Sequence, residues 1–241
     1  QAVDAVRSHS TIGASWTASS ASSSCAAAGS SAWPASAIGC GDLVPNVGAT
    51  ATPVYDPDTD SLYFTTKVDD GTATHRHPKW LMHAVDPASG AERAGWPVTI
   101  EGSPVNDPGN SFDAFYEQQR PGLLLMDGVV YAGFGGHCDA WPYRGYVVGV
   151  STTQHSITSM WASVTGASTG GAGIWQSGGG LVSDGSGRIF FSTGNGISPA
   201  PGPGKTVQGT LAESVVRLQV GADNSLSTAD FFSPSDAATT R

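Results

Sequence analysis

The sequence predicts an all-β chain, organised as a β-propeller of four-stranded antiparallel blades, and three observations carry the prediction. Helix periodicity is nearly absent: no useful window keeps apolar residues at i, i+3, i+4 and i+7 without an interrupting Gly or Pro. Short Val-, Leu-, Ile- and Tyr-rich runs recur instead, bounded by Gly, Asp, Pro and Ser, the pattern of strands and tight turns. The runs also repeat. A β-sandwich of roughly a dozen strands is the competing architecture, and repetition favours the propeller.

Three hairpins align. They start at Thr52 (TPVYDPDTDSLYFTT), Gly122 (GLLLMDGVVYAGF) and Gly180 (GLVSDGSGRIFFST). Each is an apolar strand, a turn on Asp56, Asp127 or Asp184, and a second strand rich in aromatics. A second strand–turn–strand element ending in an aromatic follows each hairpin, at Trp96, Trp161 and Phe231–Phe232, with a further copy ending at Trp16. Two hairpins make one four-stranded unit. The expected organisation is therefore the end of a preceding blade (1–16), an Ala/Ser-rich loop (17–47), a blade (48–100), a blade with an N-terminal loop insertion (101–165), a blade (166–232) and a tail (233–241). Pro/Gly loops are expected at 101–113 and 197–209. About three and a half units fall short of the 4–8 blades of a closed ring. An incomplete ring is expected, with the remaining blades or another protein chain as partner. Trp16, Trp96 and Trp161 are expected to dock neighbouring blades.

Composition limits the partners. The 241 residues carry 11 Lys+Arg against 20 Asp+Glu, a net charge of −9, which argues against nucleic acid and anionic membrane surfaces. No apolar run approaches the roughly 20 residues of a spanning helix, so no membrane insertion is expected. The first residue is Gln1 and no signal-peptide pattern is present, as in a processed product or a segment of a longer chain.

Cys25, Cys40 and Cys138 are the three cysteines. Cys25 and Cys40 flank a stretch with little capacity to order itself. A bridge there would close a loop of about 15 residues, worth roughly 3 kcal/mol, and would imply an oxidising, extracytoplasmic setting, secreted or at the cell surface. Two unpaired small hydrophobic residues are the alternative. Cys138 is then left over, buried or paired with chain beyond this sequence.

The segment Ala84-x-Asp86-x-x-Ser89-Gly90-x-Glu92-x-x-x-Trp96 resembles the tryptophan-docking motif of pyrroloquinoline-quinone-type β-propeller repeats, with one residue more before the Trp. The stretches 119–139, 173–196, 39–42 and 52–57 look like secreted members of the quinoprotein-dehydrogenase-like superfamily. That resemblance implies the propeller fold. In the enzymes of the superfamily it implies a quinone held between a Trp and a disulfide of adjacent cysteines, with a calcium or lanthanide ion and an Asp as base. This sequence has no adjacent Cys pair.

Two constellations are candidates for ligand binding. His137 and Asp139 follow the strand ending at Gly136, where they could pair as ligands or as a base with its orienter, or merely form a hydrogen-bonded turn. Trp175, Gln176 and Ser177 lie in a glycine-rich run, where a ring could stack on a ligand or pack between blades. Asp56-x-Asp58-x-Asp60 lacks the later residues of a calcium loop and reads as a turn. His75-x-His77, with His83 nearby, sits among Arg76 and Lys79 and reads as a solvated loop. No metal site and no catalytic residue is assigned. The expected function is an extracellular binding or structural module without a cofactor. A quinone-dependent dehydrogenase of small alcohols or sugars, with pyrroloquinoline quinone and calcium, is one alternative. A carbohydrate-binding propeller using Trp175, Trp141 and Tyr143 on a glycan is another.

Overall fold

The computed structural model describes residues 29–166, 170–205, 209–237 and 239. They form three antiparallel sheets, each from a consecutive stretch of chain. The first contains β1 (Ser31–Pro34), β2 (Asn46–Val47), β3 (Val54–Asp56), β4 (Ser61–Asp69), β5 (Pro78–Val85) and β6 (Val98–Ile100). Its order is β2-β1-β4-β5-β6, with β3 also on β4. The second contains β7 (Glu117–Gln119), β8 (Leu124–Met126), β9 (Val129–Gly136), β10 (Tyr146–Ser151) and β11 (Ile157–Ala162), in the order β11-β10-β9-β7 with β8 also on β9. The third contains β12 (Arg188–Ser192), β13 (Gly202–Gly204), β14 (Val215–Val220) and β15 (Leu226–Ser233), in the order β12-β14-β15-β13. An all-β chain of consecutive antiparallel sheets is consistent with a β-propeller.

In the first two sheets one side of the long strand, β4 or β9, is covered by two separate pieces. Near one end of β4, Ser31 and Ala32 pair with Asp69 and Val68; at the other end, Val54–Asp56 pair with Ser61–Tyr63. In the same way Glu117–Gln119 pair with Phe134–Gly136, and Leu124–Met126 pair with Val129–Tyr131. The β8–β9 turn is Asp127-Gly128 at φ 51° and 74°, the left-handed pair that a two-residue hairpin requires. The starts of the three aligned hairpins meet at one place: Leu123 N donates to Thr52 O (3.1 Å), and Gly122 N donates to Gly179 O (2.8 Å).

The sheets pack face on face in chain order. Tyr63, Trp80 and Met82 of the first share a core with Val130, Phe134 and Val148 of the second. Tyr131, Val147 and Trp161 of the second share another with Ile189, Phe191 and Val216 of the third. Successive residues of β9 thus enter opposite cores, and the second sheet is buried on both faces. The third is not: on β14 and β15, Val215 and Phe232 are each 50% exposed. Trp161 reaches the third sheet, edge-on to Phe191 (5.6 Å) and donating to Thr228 Oγ1 (3.1 Å). Trp96, half-buried, lies between Tyr63 (5.3 Å) and His155 of the β10–β11 turn (5.5 Å). Trp16 lies outside the described residues.

The 17–47 stretch, expected as a loop, carries β1 and β2. Beyond β3, β4 still offers unpaired backbone groups. Trp33 and Val47, both fully buried, anchor the segment that satisfies them. The 197–209 loop carries β13. Pro203 is admitted there because β13 is an edge strand. The 101–113 insertion is tied to the second sheet by the buried Arg144–Asp107 pair (2.6 Å) and by Asn106, whose amide exchanges hydrogen bonds with Ala162. No helix among the described residues is long and apolar enough to cross a membrane.

Candidate functional site

A cleft of about 370 Å³ opens where β7, the end of β9 and the 173–177 segment converge. Gln118 and Arg120 line it from β7 and its continuation, and Gly136, His137, Cys138 and Asp139 from the end of β9. Trp175, Ser177 and Asn195 come from the third repeat, and Asp42 from the loop before β2. The two sequence candidates, 38 residues apart in the chain, thus share one space: His137, Asp139, Trp175 and Ser177 all reach it. Gln176 does not line it. Its amide spans the backbone instead, donating to Gly180 O (3.2 Å) and accepting from Ser192 N (3.3 Å).

Trp175 is half-buried on a glycine cradle. A Cβ on Gly135, Gly173 or Gly194 would come within 3.1, 2.9 and 2.6 Å of the indole. The glycines around the ring therefore make room for the ring itself. Tyr143 packs against Trp175 (5.8 Å) and under Gly136, with its hydroxyl donating to Asn195 Oδ1 (3.1 Å). Buried there, Tyr143 cannot serve as an open stacking face, whereas Trp141 is 59% exposed.

His137 and Asp139 are joined by a turn, in which Ala140 N donates to His137 O (3.0 Å) and Cys138 and Asp139 take φ 52° and 51°. They are not a base and its orienter. His137 is 2% exposed, and neither ring nitrogen has a hydrogen-bond partner among the described residues. Burial, with the Lys67 ammonium also near, holds its imidazole below the usual range, against an opposing pull from the Asp42 carboxylate and backbone beside the ring. Gln118, 1% exposed, donates through Nε2 to Thr50 Oγ1 (2.9 Å), but its Oε1 has no partner. Arg120 places Nη1 3.5 Å from Ser177 Oγ, and its Nε has no partner.

The wall is closed by a disulfide that differs from the expected one. Cys40 bonds Cys138, with Cα atoms 6.1 Å apart across 98 residues of sequence. Cys40 therefore does not bond Cys25, which lies outside the described residues. The β1–β4 pairing brings Cys40 to the end of β9, so the partner is chosen by the sheets and not by the shortest loop. Asp42 joins them: its N donates to Cys40 Sγ (3.3 Å), and Oδ2 lies 3.5 Å from Cys138 Sγ. A disulfide belongs to an oxidising, non-cytoplasmic environment.

Sequence reasoning missed the two ionisable residues behind the cleft. Lys67 on β4 donates to Phe115 O (3.2 Å) and Glu117 O (3.0 Å) and faces the rings of Trp33 and Trp80 at 5.1 and 5.7 Å. Burial pulls its ammonium down to about 7. Burial likewise pushes the Glu117 carboxyl well up, although Oε1 accepts Arg144 N (3.0 Å). A lysine and a glutamate in runs of strand residues leave no sequence signal of this kind. The other motifs behave as turns and loops. Asp56 caps its hairpin by accepting from Asp58 N (3.0 Å) and Thr59 Oγ1 (2.7 Å). His77 pairs with Asp70, while His83 is buried between Glu92 and Thr66.

No protein-family model and no curated protein matches the chain. Among solved structures it is similar to a quinohemoprotein alcohol dehydrogenase from Pseudomonas putida HK5 (16% identity, TM-score 0.47, 79% of this chain and 35% of that one). It is also similar to a quinohemoprotein alcohol dehydrogenase from Comamonas testosteroni (17% identity, TM-score 0.42, 77% of this chain and 35% of that one). The chain thus spans about a third of the length of these structures. The architecture rests on the strand pairing above.

Proposed function

We propose that the chain is an extracellular β-propeller segment that acts as a binding module, and that the cleft beside Cys40–Cys138 takes a small, neutral, polyhydroxylated ligand such as a saccharide. One observation carries this: Gln118 Oε1, Arg120 Nε and both ring nitrogens of His137 are buried without a partner around one cleft. Leaving such groups unsatisfied costs about 1–3 kcal/mol each, and buried polar atoms left open together are explained by a ligand that completes them. Trp175 supplies an aromatic face beside them, and Trp141 a second, exposed one. Titration of tryptophan fluorescence with a panel of mono- and disaccharides tests the proposal. Saturable quenching that disappears in Trp175→Ala supports it; no response across the panel, with the chain folded, contradicts it.

A second reading, a quinone-type cofactor, is favoured by one feature: Trp175 and the Cys40–Cys138 disulfide line the same cleft. The calcium ion that the resemblance implies would need several oxygen ligands. Among the described residues the one group of three candidate metal ligands is Cys40, His137 and Cys138, a sulfur–nitrogen set that does not fit calcium. No chemistry is derived through the quinone. Adding pyrroloquinoline quinone to the same fluorescence titration separates the two readings.

The ring is proposed to be incomplete. The outer face of the third sheet exposes Phe232 and Val215 where the second sheet is covered on both sides. A further blade or another protein chain is the proposed cover.

A further inference from the structure

We propose that the Cys40–Cys138 disulfide masks a metal site: once reduced, Cys40, Cys138 and His137 bind a zinc-type cation, with the fourth position open to water. This goes beyond the proposed ligand cleft and does not depend on a saccharide entering it. The ligand atoms of the two cysteines and His137 all lie within 4.8 Å of one another. A tetrahedral zinc site holds such atoms roughly 3.3–3.8 Å apart, so small side-chain rotations suffice. Asp42 Oδ2 lies 3.5 Å from Cys138 Sγ, a carboxylate beside the site. The His137 ring nitrogens are buried and make no hydrogen bond of good geometry among the described residues, although the Asp42 backbone lies close to the ring, so a lone pair is open to a metal. Two thiolates and an imidazole, with water in the fourth position, form a donor set suited to zinc.

The bonded sulfurs cannot serve, because the thiolate is the metal ligand. Cys138 is exposed, which admits a small dithiol reductant. Two exchange steps move two electrons: the dithiol becomes a cyclic disulfide, and Cys40 and Cys138 gain its two protons as thiols. Binding the cation then releases those two protons.

The test uses the full 241-residue chain carrying Cys25→Ser, which removes the third thiol. Co²⁺ is the spectroscopic probe, in anaerobic buffer with the reductant removed, followed by displacement with Zn²⁺. The reduced chain is expected to take up one equivalent of Co²⁺ with thiolate-to-cobalt charge-transfer bands and tetrahedral visible absorption, bleached by Zn²⁺. The oxidised chain should show neither. His137→Gln should weaken binding at least about tenfold, a loss of the size that even outer-shell changes cause. Should reduction loosen the fold, near-UV circular dichroism of the reduced chain should recover on adding Zn²⁺. The proposal is overturned if the reduced chain binds no cobalt and zinc restores no dichroism, if oxidised and reduced chains bind alike, or if a folded His137→Gln binds as tightly as its parent.

Discussion

The hollow on the outer face of the third sheet encloses about 480 Å³, against about 370 Å³ for the cleft beside Cys40–Cys138. Phe190, Val215, Phe231 and Phe232 line the hollow, and its charged pair, Arg217 with Asp230, is closed at 2.6 Å. Of its buried side-chain polar atoms, the Arg217 Nε is left without a partner, and the exposed Lys205 lies at the rim. The smaller cleft reverses this: its polar groups are buried and open, and its aromatic ring is held in place by glycines. Apolar surface with satisfied charges asks for packing, and unsatisfied polar atoms ask for a hydrogen-bonding ligand. Chemistry of the wall, and not volume, separates a docking face from a site.

The largest expected effect lies on the covered side of the third sheet. Trp161→Ala should cost about 3–5 kcal/mol in chemical denaturation, because the ring is fully buried between two sheets. A loss below about 1 kcal/mol would mean that the second and third sheets do not share this core.

Lys67 extends the contrast to a buried charge that does have partners. Its ammonium is pulled down to about 7 from 10.5, so between those values the unfolded chain holds a proton that the native chain has lost. Stability should therefore rise with pH across that window, at up to about 1.4 kcal/mol per pH unit. Below about pH 7 both states are protonated and the slope vanishes. Lys67→Met should remove it, as read from urea midpoints at pH 7 to 10. Parallel profiles for the two proteins would contradict the assignment.

The cradle gives a middle-sized effect. Gly194→Ala would set a Cβ 2.6 Å from Trp175 Cδ1, and overpacking of this kind costs about 1–3 kcal/mol. A shift in tryptophan emission should accompany the loss. An unchanged spectrum would place the indole elsewhere. The smallest effect belongs to the open hollow. Phe232→Ser should change stability by no more than about 0.5 kcal/mol while reducing self-association in sedimentation velocity, since it removes an exposed ring. A loss as large as that of Trp161→Ala would show that this face is already covered.

Much of this contrast was legible in the sequence. The hairpin alignment starting at Thr52, Gly122 and Gly180 picks out residues that the backbone places side by side, because turn chemistry and strand alternation are local. His137, Asp139, Trp175 and Ser177 were readable as unusual residues at strand ends. Other features depended on contacts between distant strands. Cys40 and Cys138 meet across 98 residues, which favours no loop-closure argument. β1 hides in a low-complexity stretch because Trp33 gains its role only when β4 needs a partner. Gln118 and Arg120 carry no motif, and what marks them is one buried polar atom each, Oε1 and Nε, left without a partner in the fold.

Gln118→Leu tests the central claim most directly, with folding stability and saccharide affinity measured on the same preparation. Replacing an amide whose buried oxygen is unsatisfied with an apolar side chain of similar size relieves that oxygen and loses the Nε2 bond to Thr50, so stability should change by no more than about 1 kcal/mol. Affinity should fall at least about tenfold, a loss of about 1.4 kcal/mol. A variant that is destabilised by more than about 1 kcal/mol yet binds saccharide as before would contradict the account, because Gln118 would then be part of the scaffold and not of the site.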